Sequence, residues 1–242
     1  MNLIIDVGNT RVKAAVFKHD TLKETSSFGH DEFDDAVCKL QNKFQITNTI
    51  ISKVASINNF SITKKSMFDN LLALSNATPI PFVNKYLTPK TLGIDRIALA
   101  AGAVSLYPHK NVLIIDAGTC ITYDFVNSHK EYLGGAISPG IMMRYKALHH
   151  YTDGLPELLK KYPQNLVGSS TNASIHSGIV NGVVKEIDGI ISDYRIKYSD
   201  LTIVLTGGDT NFLAKQLKSS IFANQNFLLQ GLNSILIFNN SK

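Results

Sequence analysis

Tryptophan is absent from the 242-residue chain, and cysteine occurs only twice, as Cys38 and Cys120. Two cysteines so far apart make neither a CxxC pair nor a disulfide framework, so a reducing compartment is the expected setting. Long apolar runs are missing too: none approaches the ~18 residues of a membrane helix. The opening MNLIIDVGNTRVK carries too short an apolar stretch for a secretory signal and reaches an aspartate at position 6. A soluble, cytoplasmic protein with no membrane partner is expected. Charge of one sign is not concentrated either. Lysine and arginine number 24 against 19 aspartates and glutamates, a net +5, yet the tightest basic runs are Lys64-Lys65 and Lys160-Lys161. Without a basic stripe interleaved with aromatics, nucleic acid is not an expected partner. A mild positive excess suits a small anionic ligand.

Metal-ligand spacing is equally sparse. His149 and His150 are adjacent and would point in different directions on a helix, and no third ligand is suitably spaced. Nothing near Cys120 marks it as a nucleophile, so a small buried residue is expected there.

What the chain does have is a repeat. Leu3-Ile4-Ile5-Asp6 and Leu113-Ile114-Ile115-Asp116 are identical, and each continues into a small residue, glycine and a polar stretch. Each tetrapeptide reads as a buried strand ending in a tight turn. After the first, strands are expected over 11–17, 21–28 and 48–54, with helices over 31–41 and 62–74. The 31–41 helix has its acids first and Lys39 last, as the helix dipole favours. After the second, strands are expected over 121–126, 132–137 and 202–206, with helices over 172–194 and 211–217. Two copies 110 residues apart, each opening the same strand-turn-strand order, suggest duplication of a whole lobe, 1–110 and 111–242. The apolar tail 232–238 suits a packed helix or a subunit interface.

A strand ending in Asp-x-Gly sets a carboxylate at the edge of a sheet, and the glycine lets the backbone come close to a ligand. Asn9, Thr10 and Thr119 add hydroxyls and amides suited to phosphate oxygens. If Asp6 and Asp116 flank one cleft, polyphosphate can enter only with cations, so metal-bound ATP is the expected ligand. Arg11 and Lys13 could supply positive charge to the phosphates. The run LTIVLTGGDTNF at 201–212 permits close approach of a bulky group such as adenosine, while Asp209 could simply cap the helix that follows. In TLGIDRIALAAGA at 91–103, Asp95 and Arg96 fall in the first turn of a helix. They are either a helix-start acid with a solvent-facing arginine, or a base with an anion clamp.

The segments DVGNTRVK at 6–13, GIDR at 93–96, DAGTCIT at 116–122, GGAISPG at 134–140, TNASIHSG at 171–178 and TGG at 206–208 together resemble the type III pantothenate kinases. That family sits in the actin/sugar-kinase/Hsp70 superfamily. The resemblance implies an α/β fold of two duplicated ribonuclease-H-like (actin-like ATPase) lobes with a cleft between them. It also implies transfer of the ATP γ-phosphate to pantothenate, giving 4'-phosphopantothenate, the first step of coenzyme A biosynthesis. Carried over by motif, Asp6, Val7, Gly8, Asn9, Thr10, Arg11, Val12 and Lys13 resemble the first ATP phosphate site, and Thr119 an ATP contact. Asp95 resembles the proton acceptor. It sits in a substrate-binding segment with Gly93, Ile94 and Arg96, and with Tyr86 nine residues ahead of it. Thr171 resembles a substrate contact and Asp116 a monovalent-cation ligand. By the same likeness ATP is accompanied by Mg2+ or a similar divalent ion, K+ or NH4+ is required, and the enzyme is a homodimer. Ser174 departs from the family's usual alanine. Two alternatives stay open from sequence: a kinase of this fold for another small acid or sugar, and a non-catalytic nucleotide-binding regulator.

Overall fold

The computed structural model describes residues 1–53 and 67–241. The chain opens with β1 (Asn2–Val7), β2 (Val12–Lys18), β3 (Thr21–Phe28), α1 (Phe33–Lys43), β4 (Asn48–Lys53) and β5 (Leu71–Ala73). The strands form one sheet in the order β3-β2-β1-β4-β5, with β1 antiparallel to β2 and parallel to β4. Alternate residues of β1 and β2 face the same side of the sheet. Leu3, Ile5, Val7, Val12, Ala14 and Val16 share a core with Phe33, Val37 and Leu40 of α1, whose 4,3 spacing makes one helical face. Asp34 and Asp35 in the first turn of α1 and Lys43 in its last suit the dipole.

The helix expected over 62–74 is corrected at its end; residues 62–66 lie outside the described ones. Leu71, Leu72 and Ala73 form strand β5, paired in parallel with Thr49, Ile50 and Ile51 of β4. The edge of β4 offers unpaired backbone groups, and satisfying them outweighs a local helical pattern.

The next elements are β6 (Val83–Asn84) and α2 (Ile94–Leu106). Every residue from Arg96 to Val104 in α2 is buried. Much of that burial is against α6 (Phe227–Asn240), the last helix. Gly102 lies against the backbone of Gly231 and Phe227, and a Cβ on Gly231 would collide with the Ala98 carbonyl. Glycines here let two helix backbones touch. Phe227, Leu229, Leu232, Ile235 and Leu236 of α6 are buried, so the apolar tail is a packed helix.

The second half runs β7 (Asn111–Ala117), β8 (Cys120–Val126), β9 (Glu131–Pro139), α3 (Ile141–His150), α4 (Thr171–Lys197), β10 (Leu201–Thr206), α5 (Thr210–Ala214) and β11 (Phe222–Ala223). Its sheet order is β9-β8-β7-β10-β11, with β6 paired beyond β9 through Val83–Glu131 and Asn84–Tyr132. Strand for strand this repeats β3-β2-β1-β4-β5, down to the antiparallel first pair and the parallel central one. The duplicated LIID thus marks the central strand of each sheet. Ile175, Ile179, Val183, Ile187 and Ile191 line one face of α4 and bury against Leu113, Ile115 and Ile203. No helix among the described residues is long and apolar enough to cross a membrane.

By contact the chain forms two compact units. One holds 1–109, 129–133 and 226–242; the other holds 110–128 and 134–225. Residues 226–242, on the later side of the expected 110/111 division, group with the first unit.

Candidate active site

In the first unit, the β1–β2 turn is closed by Gly8 N–H donating to the Arg11 carbonyl at 3.1 Å. Val7 and Val12 are fully buried in the sheet, so only their backbones are available to a ligand. Asn9, Thr10 and Lys13 are exposed. Arg11 is exposed too, but its guanidinium is held by Ser27: Nε donates to Oγ at 3.0 Å and Nη2 to the carbonyl at 2.7 Å. Lys13 is therefore the cation that the turn presents.

Register explains the surroundings of Asp6. Its cross-strand neighbours are Lys13 on β2 and Ser52 on β4. Burial pushes the Asp6 carboxyl up to about 6; Lys13 opposes this, Asp95 adds to it, and a hydrogen bond from Ser52 opposes it again. Lys13 and Asp95 thus both act on Asp6 within this unit.

Asp95 stands in the first turn of α2. Its Oδ1 accepts the Arg96 N–H at 2.8 Å, and a Cβ on Gly93 would collide with that same oxygen. Glycine at 93 leaves room for the carboxylate to fold back over the helix start. Ile94 opens the helix beside it. Of the two readings of Arg96, the solvent-facing one is corrected: the residue is only 5% exposed. Its guanidinium lies over the rings of Tyr86 and Tyr132, at 5.6 and 5.9 Å. Hydrophobic neighbours at the base of α2 and the aromatic pair draw it inward. Tyr86 is half-buried, with its ring 6.1 Å from that of Tyr132. Position 132, read from sequence only as part of a strand, is thus one wall of this arginine site.

In the second unit the equivalent carboxylate, Asp116, has different neighbours. Its register partners are Thr122 on β8 and Thr206 on β10. Where Asp6 has an ammonium beside it, Asp116 has hydroxyl-bearing strands. Three turns converge there. Gly140 N–H donates to the exposed Thr119 at its carbonyl, 3.1 Å away, and Asp209 N–H donates to the Ala117 carbonyl at 2.9 Å. Gly207 has φ +94°, and a Cβ there would meet both the Ala117 carbonyl and the Asp116 carboxylate. Asp209 occupies the N-cap position of α5 without a side-chain cap bond; its carboxylate pairs with Lys160 instead. Beside that pair Tyr162 stacks on Phe212, with ring centroids 4.1 Å apart.

Thr171 is exposed at the first position of α4, which is capped by Ser170 accepting the Ala173 N–H. Ser174 donates through Oγ to the Gly168 carbonyl at 3.2 Å, so the departure at this position ties down the preceding loop. Gly168 lies so near the Ser174 backbone that no Cβ fits. His149 Nδ1 is bonded to the Leu155 carbonyl at 2.8 Å. Among the described residues no group of three or more His, Cys, Asp or Glu is arranged to hold a metal. A cation here would need oxygen ligands from bound phosphates as well.

One network was not legible in sequence. Arg144 donates to the Pro139 carbonyl at 2.9 Å, to Ser138 Oγ at 3.0 Å and to Glu186 at 2.5 Å; Tyr123 donates to Glu186 at 2.9 Å. It holds the Ser138-Pro139-Gly140 turn that in turn binds Thr119. Burial works against the Glu186 charge, but hydrogen bonds from Arg144, Tyr123 and Ser138 prevail and lower its pKa.

The type III pantothenate kinase profile matches residues 2–193. A protein named type III pantothenate kinase from Flavobacterium psychrophilum is 50% identical over 97% of this chain and 98% of its own. One of the same name from Christiangramia forsetii is 51% identical over the full length of both. Among solved structures, a Baf family transcriptional activator from Campylobacter jejuni superposes with TM-score 0.65 at 22% identity, over 99% of this chain and 100% of that one. A ROK family glucokinase from Streptomyces griseus, in complex with glucose and AMPPNP, gives 0.56 at 10% identity over 100% and 99%. These two distant matches establish the fold, that of the actin-like ATPases. With a profile spanning most of its length and relatives half identical over nearly all of it, the chain belongs to the type III pantothenate kinase family.

Proposed function

We propose that this chain transfers the γ-phosphoryl group of ATP to the terminal hydroxyl of pantothenate, with Asp95 accepting the hydroxyl proton. The observation that carries the reading beyond family membership is the grouping of Asp95 with Asp6 and Lys13 in one unit. Phosphoryl transfer asks for positioning and charge neutralisation, plus one group to orient the acceptor. A weakly basic carboxylate suffices as acceptor, because the proton leaves late in a loose transition state. Backbone amides from Asn9 onward in the β1–β2 turn serve the phosphates, with Lys13 as the positive charge, and Thr119 is the ATP contact offered by the second unit. Arg96, fixed over Tyr86 and Tyr132, is the partner for the pantothenate carboxylate. Gly93 and Ile94 complete the acceptor side in this unit, and Thr171 is the substrate contact offered by the second unit.

The residues present suit two cations. Asp6 is the carboxylate for the divalent ion carried by ATP, and Asp116, flanked by Thr122 and Thr206, suits K+ or NH4+. Bound there, such ions neutralise phosphate charge. The chain would also work as a homodimer. Supporting this is an apolar groove of about 780 Å³ between α3 and α4, lined by Met143, Ala147, Leu148, Tyr151, Ile175 and Ile179. Tyr151 in that groove is 81% exposed. A Leu148→Glu variant should then sediment as a monomer; an unchanged dimer would remove this face from consideration.

The deciding assay is ATP consumption by the purified protein with and without pantothenate, in sodium, potassium or ammonium buffers. Turnover should need pantothenate and one of the latter two ions. Faster turnover with a sugar or another hydroxy acid at equal concentration would overturn the acceptor assignment.

A further inference from the structure

The β1–β2 turn does not stand alone: the end of β3 and the loop after it grip it at both ends. At the far end Ser27 holds the Arg11 guanidinium. At the near end His30 Nε2 lies 2.9 Å from the Gly8 carbonyl oxygen. A carbonyl can only accept, so Nε2 carries the hydrogen, whether the ring is neutral or charged. We infer that His30 is a positioning residue for the phosphate-binding turn, acting by fixing the direction of the Gly8–Asn9 peptide.

A trans peptide is planar, with its C=O and N–H pointing opposite ways. Once the Gly8 oxygen is turned to His30, the Asn9 N–H must face away from it. Gly8 gives no resistance of its own to a peptide flip, since glycine has no Cβ to restrict it. Its N–H is already used by the Arg11 carbonyl, so Gly8 itself has no amide to offer a ligand. The Asn9 amide is the first in the turn that could meet a phosphate oxygen, and His30 is what aims it.

The imidazole is held firmly enough for this. Gly29 N–H donates to Glu32 Oε2 at 2.7 Å, and Glu32 N–H to the Gly29 carbonyl at 3.3 Å, closing the 29–32 turn on itself. Phe28 and Phe33, one on either side of that turn, are both buried and meet edge to face at 6.3 Å. His30 therefore projects from a short loop pinned by core side chains, an arrangement that costs little to keep in place on binding.

The inference rests on the reading of the 6–13 turn as an ATP phosphate site, and the test separates the two. ATP affinity is measured by calorimetry, and KM for each substrate by steady-state assay, on full-length His30→Ala, His30→Gln and Lys13→Ala. His30→Ala should weaken ATP binding and raise its KM about tenfold, the effect of losing one well-aimed amide. KM for pantothenate and the melting temperature should stay near wild type. His30→Gln, which keeps a donor, should recover part of the loss. If Lys13→Ala weakens ATP binding but His30→Ala does not, the positioning role is wrong and the phosphate site stands. If neither does, the phosphate site itself is wrong. A fall in melting temperature with equal loss for both substrates, unrescued by glutamine, would reduce His30 to a structural residue.

Discussion

The negative charge of Asp95 reaches Asp6, and with burial as the larger cause it helps hold the Asp6 carboxyl up at about 6 despite Lys13 and Ser52. The folded protein therefore binds this proton more tightly than the unfolded chain, whose value is near 3.8. The sign follows from linkage. The contribution to stability is complete below the unfolded value and is lost as pH rises through the folded one. At pH 8 without ligand, Asp6→Asn should be more stable than wild type by up to about 2 kcal/mol, and the gain should vanish near pH 4. Urea unfolding at the two pH values measures it; a gain independent of pH would contradict the Asp6 environment described here.

Asp95→Asn keeps a side-chain oxygen to accept the Arg96 N–H, so the start of α2 should persist and the melting temperature should barely move. Turnover should fall by about 10²–10⁴, the usual worth of a positioned base. Full activity would end the role given to Asp95.

Gly207→Ala puts a Cβ at φ +94° against the Ala117 carbonyl and the Asp116 carboxylate. We expect a loss of about 1–3 kcal/mol from strain and crowding, with weaker nucleotide binding. Gly208→Ala is the control, because a Cβ there meets nothing within 4 Å. Equal melting temperatures for the two variants would contradict this geometry.

Arg144→Ala leaves Glu186 half-buried with Tyr123 and Ser138 as its remaining donors. A loss of about 1–3 kcal/mol at pH 7 is expected, the cost of a charge stripped of a hydrogen-bonding partner. Because the pKa of Glu186 is lowered from 4.5, its contribution is present above that value and disappears as pH falls through the folded pKa. The gap between variant and wild type should narrow in acid. Thermal melts from pH 7 downward test it, and a constant gap would place the effect in packing instead.

The duplicated LIID carried most of the architecture: it sits on the central strand of both sheets, and flanking strands follow in the same order. Those central strands are buried on both faces, so each stands out in the sequence as a continuous apolar run. Strand β5 escaped notice because an edge strand of three residues is stabilised by its neighbour β4, not by its own pattern. Asp95 and Arg96 were visible as a motif, but the inward turn of Arg96 depends on Tyr132, 36 positions later. Arg144 and Glu186, 42 residues apart, carry no shared local signal, and neither do His30 and Gly8. Such pairs are chosen by the fold, so only the fold reveals them.

The last helix, α6, closes against α2 through Gly102 and Gly231, and Asn233 bonds both Asn2 and the His19 carbonyl. β1 thus reaches its final packing only once α6 has been made. Domains usually fold in order of emergence from the ribosome. Here the unit that contains residue 1 cannot finish until 227–240 are free, while the other unit can. A chain cut short before α6 would leave the apolar face of α2 bare, a surface that invites aggregation rather than folding.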